Sequence, residues 1–272
     1  MDPPLLEEDV ASMLSSVFAD VEAPVYVVNP SQETISMLVS TLDGTDTTPE
    51  IRMLADESTL KDAMEDFLVA SPAADLVEAG RLSMRVLATV PNHSVVVTND
   101  SVYALVTVAD TISALGTDDD EFVGAAANHY ESTWESAEAY SLRTPALSRV
   151  RSSLETEIGE ATAADFDSVL GSLATARGDG DGLDEVTISL LVAARNKELL
   201  YEISKWGEDV GLASKATFSR TKTRLEDMGL IDTEKVPIDV GRPRLRLLVG
   251  DERLESADSD ELATVAQSLL AA

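Results

Sequence analysis

The sequence predicts a two-domain protein of the α/β class. We expect an N-terminal mixed-sheet α/β domain, then a helical hairpin connector, then a C-terminal domain of three helices and a β-hairpin. The length of 272 residues suits two domains, short apolar runs alternate with helical periodicity in the first half, and three glycines fall within residues 178–182. The predicted boundaries are 1–142 for the first domain, 143–177 for the connector, 178–182 for a hinge, 183–250 for the last domain and 251–272 for a final helix.

The first domain is predicted to contain a mixed sheet of roughly five strands. Apolar runs at 25–28 and 51–54 each lead into a helix, and two such units in series imply parallel pairing. Asn29 is the expected N-cap of the first of these helices, with Pro30 as its first residue, and Asp118 is expected to cap a later helix that lies across the sheet. The other expected elements are strands at 82–87, 94–98 and 102–108, an amphipathic helix at 5–18, and one helix that follows Asp56 and continues through Leu68.

The chain is strongly acidic, with 50 acidic against 20 basic residues and a net charge of -30. The acidic residues are spread along the chain, and only 6 of the 20 basic residues are lysine. This composition is typical of proteins that work in molar potassium chloride, where a Debye length of ~3 Å screens the self-repulsion. We therefore predict a halophilic source. Residues 183–250 depart from the acidic bias, because they contain 11 Lys and Arg against 11 Asp and Glu.

Composition also limits the chemistry that the chain can perform. It has no cysteine, and its only histidines are His93 and His129, so disulfides, thiol catalysis and thiolate metal sites are excluded. We predict no catalytic residue, no metal site and no cofactor. Glu7, Glu8 and Asp9 stand where a secretory signal would be basic, and no apolar run approaches the ~18 residues of a membrane span. The expectation is a soluble cytoplasmic protein with no membrane partner.

The last domain carries a basic helix. Periodicity predicts helices at about 183–194, 200–210 and 215–228, with Gly211 at the turn before the third. The third helix turns Phe218 and Met228 inward, and its first ten residues include four basic and no acidic side chains. Its outward face is small, hydroxylic and basic, which suits a groove of double-stranded DNA, because hydroxyls bond phosphates or bases and Arg pairs with guanine. The candidate DNA-binding residues on this helix are Lys215, Ala216, Thr217, Ser219, Arg220, Lys222, Thr223 and Arg224.

A β-hairpin is predicted after this helix, from Ile231–Val236 and Arg244–Val249. Basic residues alternate with apolar ones on the second strand, as expected for a hairpin with one face exposed to solvent. Arg242 and Arg244 complete the candidate DNA-binding set, because they stand near the tip or on that face. A hairpin that follows a recognition helix is the wing of a winged helix-turn-helix.

The sequence also resembles a known family. SKATFSRTKTRLEDMGLID from Ser214 and GRPRLRL from Gly241 are similar to the winged helix-turn-helix of archaeal and bacterial regulators. Over nearly its full length the chain resembles the haloarchaeal TbsP-type transcriptional regulators, with VYVVNPS from Val25, RTPALSRVR from Arg143 and ARGDGDGLDEVTISLL from Ala176. The resemblance implies a DNA-binding regulator. Lys222 departs from common winged-helix patterns, which place an aliphatic residue there; its stem is expected to pack while its ammonium reaches toward phosphate.

This interpretation predicts two binding partners, a second copy of the chain and a small metabolite, and it leaves one alternative function open. A single winged helix contacts too little DNA to select a site alone, so a homodimer is expected. The apolar stripe of the final helix is compatible with pairing between subunits or with capping of the monomer. A small metabolite, by analogy with archaeal sugar sensors, is expected between the strand ends after Val28 and Leu54. The alternative is an α/β enzyme or a protein-interaction scaffold that carries a winged-helix module.

Overall fold

The computed structural model describes residues 17–18, 21, 24–45, 49–108, 111–177, 182–239, 243–259 and 261–270. The predicted helix at 5–18 and the predicted hinge at 178–182 lie mostly outside these residues, and Arg242 lies wholly outside them. The chain divides into two compact units. The first comprises residues 1–65 and 72–142, and the second comprises residues 66–71 and 143–272. The second unit therefore includes a short segment from the first half of the sequence, which the predicted boundaries did not anticipate.

The first unit is built on a mixed sheet. Its strands are β1 (Val25–Val28), β2 (Ile51–Ala55), β3 (Leu82–Val86), β4 (Ser94–Val97), β5 (Val102–Val108), β6 (Thr111–Thr117) and β7 (Glu138–Ala139). They form one seven-stranded sheet in the order β6-β5-β4-β1-β2-β3-β7. The pairs β1–β2 and β2–β3 are parallel and the others are antiparallel. The predicted α/β class with a mixed sheet is confirmed, but the prediction of five strands was wrong. β6 was missed because its Ala and Gly weaken the strand pattern, and β7 because it is only two residues long.

Helices α1 (Gln32–Asp43), α2 (Glu57–Met64), α3 (Phe67–Glu78) and α4 (Asp120–Ser136) also belong to this half of the chain. The predicted N-cap of α1 was wrong: Ser31 caps it, and its Oγ accepts from the Thr34 amide at 3.1 Å. Asn29 instead has a φ of 51°, which turns the chain sharply after β1. Likewise Asp119, rather than Asp118, caps α4. The predictions placed these caps too early because several cap-forming residues stand in succession.

The single helix predicted after Asp56 is in fact two helices, α2 and α3. Asp66 lies between them and is only 3% exposed. One of its carboxylate oxygens accepts from the amide of Leu68 at 3.0 Å and from the amide of Ala176 at 2.9 Å. A carboxylate that accepts from an amide of the first turn starts a new helix, and Asp66 does this for α3. The apolar periodicity runs on from α2 into α3, although the two helices are separate.

The second unit is mostly helical. Its elements are α5 (Leu147–Glu157), α6 (Glu160–Ser172), α7 (Glu185–Arg195), α8 (Leu200–Val210), α9 (Lys215–Asp227), β8 (Ile231–Val236), β9 (Arg244–Val249), α10 (Glu252–Ser256) and α11 (Leu262–Leu270). One apolar core joins these elements, and Trp206 at its centre donates to the Ser153 hydroxyl at 2.9 Å. The stripe of α11 is buried in this same core through Leu262, Ala266 and Leu270, so the helix caps its own chain.

Candidate nucleic-acid interface

Helices α8 and α9 form a helix-turn-helix with a well-defined turn. α8 ends at Gly211, whose φ of 93° is in the left-handed region that glycine adopts without strain. Three residues later Ser214 caps α9, and its Oγ accepts from the Thr217 amide at 3.2 Å. The sequence therefore fixes both ends of a short turn, and the start of the second helix is firmly positioned.

The two helices approach each other closely at Gly207. A Cβ atom at this position would lie 2.3 Å from two ring atoms of Phe218, nearer than carbon atoms can pack. Phe218 and Leu225 are fully buried and hold the inner face of α9 against the core. Met228 was also predicted to point inward, but it is 43% exposed. That prediction was wrong because α9 ends at Asp227 and Gly229, with a φ of 73°, turns the chain away.

The opposite face of α9 is open to solvent. Its exposed residues are Ala216, Ser219, Arg220, Thr223 and Arg224, while Thr217 and Lys215 are half-buried at the first turn. From Lys215 to Arg224 this row is small, hydroxylic and basic; the exposed Asp227, the last residue of α9, is its one acidic neighbour on the same face. Such a surface can enter a groove and supply both hydroxyl and guanidinium donors.

Each cation of α9 has a distinct local environment. Lys215 pairs with Glu208 of α8 at 2.6 Å, and this hydrogen bond lowers the pKa of Glu208. Lys222 pairs with Glu226 at 2.7 Å, and its side chain is only 12% exposed. The expectation that the Lys222 stem packs is thus met, but its ammonium meets a carboxylate within the chain. Neither carboxylate partner was predicted, although the spacing of Lys222 and Glu226 is that of a helical ion pair.

The two arginines of α9 also differ in their hydrogen-bond partners within the chain. Arg224 donates to the hydroxyl of Thr187 on α7 at 3.2 Å. Within the described residues, Arg220 makes one hydrogen bond, to the Thr217 hydroxyl at 3.4 Å, and no ion pair. Arg220 is therefore the cation of α9 whose guanidinium donors are most available to another molecule.

The hairpin of β8 and β9 follows α9, as predicted. It pairs from Ile231 with Val249 to Val236 with Arg244 in antiparallel register. Arg244 forms an ion pair with Glu202 of α8, and its guanidinium lies 4.5 Å from the centre of the Tyr201 ring. These contacts attach the loop-side end of the hairpin, where Arg244 pairs with Val236, to α8. Sequence spacing could not indicate them, because about forty residues separate the partners.

A cavity of about 360 Å³ lies within the first unit. The loop after β3 lines it with Leu87, Thr89 and Pro91, and α4 lines it with His129, Tyr130 and Thr133. Burial raises the pKa of the Tyr130 hydroxyl, so this hydroxyl stays protonated near neutral pH. The cavity lies beside the loop after β3, and the predicted ligand site between the strand ends after Val28 and Leu54 stays a prediction.

Asn29 supports the wall of this cavity. Its side-chain amide donates to the carbonyl of Pro91 at 2.9 Å, and its φ of 51° is unusual for a residue other than glycine. Such conformations are retained where the surroundings enforce them, often beside binding sites. Among the described residues no cluster of three acidic or histidine side chains suits a metal ion, and no described helix is long and apolar enough to cross a membrane.

Two protein-family models together match almost the whole chain. Residues 2–145 match the family described as "Transcriptional regulator TbsP-like, N-terminal", and residues 146–267 match "Transcriptional regulator TbsP-like, C-terminal HTH domain". No curated protein matches. A solved structure titled "Structure of TrmBL2, an archaeal chromatin protein, shows a novel mode of DNA binding" is similar at 14% identity and a TM-score of 0.38. That similarity covers 49% of this chain and 51% of the other, about half of each.

Proposed function

Since the chain belongs to the TbsP-like family of transcriptional regulators, we propose that it binds specific double-stranded promoter DNA through the exposed face of α9. The observation that carries this proposal is the row of small, hydroxylic and basic side chains on α9, in a chain whose net charge is -30. A polyanion approaches such a protein most readily where acidic side chains are absent. The segment from Lys215 to Arg224 meets that requirement, and the exposed Asp227 lies only at the last position of α9.

The contacts of each cation suggest different roles. Arg220 has donors available for a bidentate contact with guanine in the major groove. Lys215 and Lys222 are paired with carboxylates of the chain, so their charges are partly neutralised and neither is assigned to a base edge. Arg244 is fixed by Glu202 and Tyr201 and positions the hairpin as a wing, and Arg242 stays a prediction outside the described residues.

We further infer that this regulator works as a homodimer in the cytoplasm of a halophilic archaeon. The acidic composition supports the halophilic setting, because its self-repulsion is weak only in concentrated salt. The homodimer is supported by the small area that one winged helix presents to DNA, since two copies can read two half-sites about one helical turn apart.

Arg220→Ala is expected to weaken operator binding by about 1 to 3 kcal/mol and to relax the preference at one base pair. The physical reason is the loss of a bidentate donor that distinguishes guanine from other bases. The measurement is fluorescence anisotropy in molar potassium chloride with an operator selected from random duplexes, and with that operator substituted at each position.

Arg151→Ala is the matched control, because Arg151 is an exposed arginine of α5 that pairs with Asp167 and lies off the proposed interface. Arg244→Ala is a second comparison and is expected to weaken all DNA sequences alike. If Arg220→Ala also weakens all sequences equally, Arg220 contacts phosphate and does not read a base. Unchanged affinity would remove the exposed face of α9 from the proposal.

We also propose that the cavity beside the loop after β3 binds a small uncharged metabolite that regulates DNA binding. Its volume lies in the range of ligand pockets, and a mostly apolar lining with a few hydroxyl and imidazole groups suits such a ligand. The lining contains no Asp, Glu, Lys or Arg. Because no lysine or arginine is present to pair with a phosphate, a neutral sugar is favoured over a glycolytic phosphate.

Calorimetry on the full chain is expected to show binding of glucose or fructose and none of their 6-phosphates. Thr133→Val, which removes one lining hydroxyl at nearly constant volume, is expected to weaken that binding about tenfold. Ser152→Val is the control, because Ser152 is an exposed hydroxyl of the second unit. If neither sugar binds while the chain still occupies its operator, the first unit is a dimerisation scaffold and the sensing proposal fails.

A further inference from the structure

The two edges of the seven-stranded sheet are protected to very different degrees. β7 forms one edge and is only two residues long, with the charged Glu138 exposed. β6 forms the other edge with seven residues, and within the described residues it pairs only with β5. Proteins usually protect an edge strand with charge, proline or short length, because unpaired amides and carbonyls recruit another strand. β7 has two of these protections and β6 has none.

The strands at this edge carry no charged residue along their length, although Asp118, Asp119 and Asp120 follow β6 directly. No residue of β4, β5 or β6 is ionisable as an acid or base except Tyr103, whereas 26% of the whole chain is charged. Two copies of a chain with a net charge of -30 repel each other over most of their surfaces. An uncharged sheet edge is the place where a second copy can approach.

Exposed apolar side chains are concentrated at the same edge. Val106 of β5 is 39% exposed and Leu115 of β6 is 53% exposed. The register pairs Ala104 with Leu115, and side chains alternate along a strand, so Val106 and Leu115 share one face of the sheet. Phe122 in the first turn of α4, the helix that follows β6, is 55% exposed. Val106 and Leu115 add apolar surface near the outer backbone of β6, which has no partner strand among the residues that the structure describes.

The strand itself is held straight and in register. β5 and β6 pair continuously from Val102 with Thr117 to Val108 with Thr111, without a bulge. A Cβ atom at Gly116 would lie 2.8 Å from the Tyr103 ring, so the ring covers this glycine across the strand pair and fixes the register. The outer edge of β6 is therefore a regular template for another strand.

We propose that β6 is the homodimer interface, and that it pairs antiparallel with β6 of a second copy around a two-fold axis. An antiparallel pair is self-complementary, so one strand can serve both subunits. Pairing centred on Ala114 overlaps all seven residues and places each Leu115 opposite Ser113 of the second copy and diagonal to its Leu115. This interface rests on the homodimer of the proposed function and specifies the surface that forms it.

The test compares two substitutions of exposed apolar residues by glutamate in the full chain. Leu115→Glu puts a charge on the proposed interface, and Val90→Glu puts the same charge on a 45% exposed valine in the loop between β3 and β4. Light scattering in molar potassium chloride is expected to give twice the chain mass of 29.0 kDa for the wild type and for Val90→Glu. Leu115→Glu is expected to give the single-chain mass, and Val106→Glu is expected to shift the mass in the same direction.

Hydrogen exchange provides a second readout that locates the contact. The amides of β6 are expected to exchange slowly in the wild-type dimer and faster in Leu115→Glu, while those of β1 and β2 keep their protection. A single-chain mass for the wild type would overturn the proposal. So would a dimeric mass for Leu115→Glu and Val106→Glu together, because the interface would then lie elsewhere.

Failure of this interface can be told apart from failure of DNA binding. Monomeric Leu115→Glu keeps α9 intact, so its affinity for a single half-site is expected to equal that of the wild type. Its affinity for a two-half-site operator is expected to fall about 100-fold or more, because the second contact is no longer intramolecular. If the wild type is dimeric through β6 but binds no DNA, the interface stands and the proposed function does not.

Discussion

Replacing Gly207 with alanine is expected to destabilise the second unit by about 1 to 3 kcal/mol. Gly to Ala within a helix normally stabilises by up to about 1 kcal/mol, because alanine loses less backbone entropy. Here the new Cβ would lie 2.3 Å from ring atoms of Phe218. Since Phe218 is fully buried, its ring has no free space to enter, and α8 and α9 must separate. Urea unfolding in molar potassium chloride measures the loss.

Gly171→Ala is the matched control, because a Cβ atom on this glycine of α6 meets nothing within 4 Å. It is expected to leave the free energy of unfolding unchanged or to raise it. The double variant Gly207→Ala with Phe218→Leu should lose less stability than the two single variants add up to, because the smaller side chain makes room for the new methyl group. A Gly207→Ala protein as stable as the wild type would mean that α8 and α9 are not packed at this distance.

Glu185→Gln is expected to stabilise the protein above pH 7 by about 3 kcal/mol and to have little effect below pH 4.5. Burial at the first position of α7, with a smaller contribution from the charge of Asp184, raises the pKa of Glu185 from 4.5 to about 7. The folded chain therefore keeps a proton that the unfolded chain releases. Stability attributable to this group falls as pH rises from 4.5 to about 7, and glutamine, which is always neutral, avoids the loss.

The measurement for Glu185 is the difference in unfolding free energy between variant and wild type from pH 4 to pH 9 at constant potassium chloride. Taking the difference cancels the titration of the other carboxylates. Glu160→Gln, an exposed residue in the first turn of α6, controls for the loss of one negative charge. A difference that does not change with pH would show that Glu185 is well solvated in the folded chain.

The sequence predicted much of the second unit because its elements are locally encoded. Helices α8 and α9, the turn at Gly211 and both strands of the hairpin follow from apolar periodicity, a glycine and a capping serine. The separate α2 and α3 were missed because Asp66 acts through the amide of Ala176, 110 residues away. Periodicity alone cannot show a helix start that depends on a distant partner.

The candidate interface was predictable in composition but not in detail. The outward row on α9 follows from spacing at 100° per residue. The ion pairs of Lys215 and Arg244 with Glu208 and Glu202 join residues of different elements, so they appear only when the elements are packed. These pairs distinguish Arg220 from the other cations, and no single-sequence pattern contains that distinction.

Residues 66–71 belong to the second unit, and this limits where the chain can be truncated to obtain that unit alone. Phe67 packs edge-on against Phe166, with ring centres 6.4 Å apart, and its amide donates to the carbonyl of Ala176 at 3.0 Å. The Ser71 hydroxyl bonds to the carbonyl of Pro145 at 2.8 Å and is fully buried. A fragment that begins at Ala146 would leave a hole beside Phe166 and an amide at Ala176 without its acceptor. The helix-turn-helix half therefore cannot be transferred to another protein by itself. A transferred version must also include residues 66–71, which come about eighty residues earlier in the coding sequence.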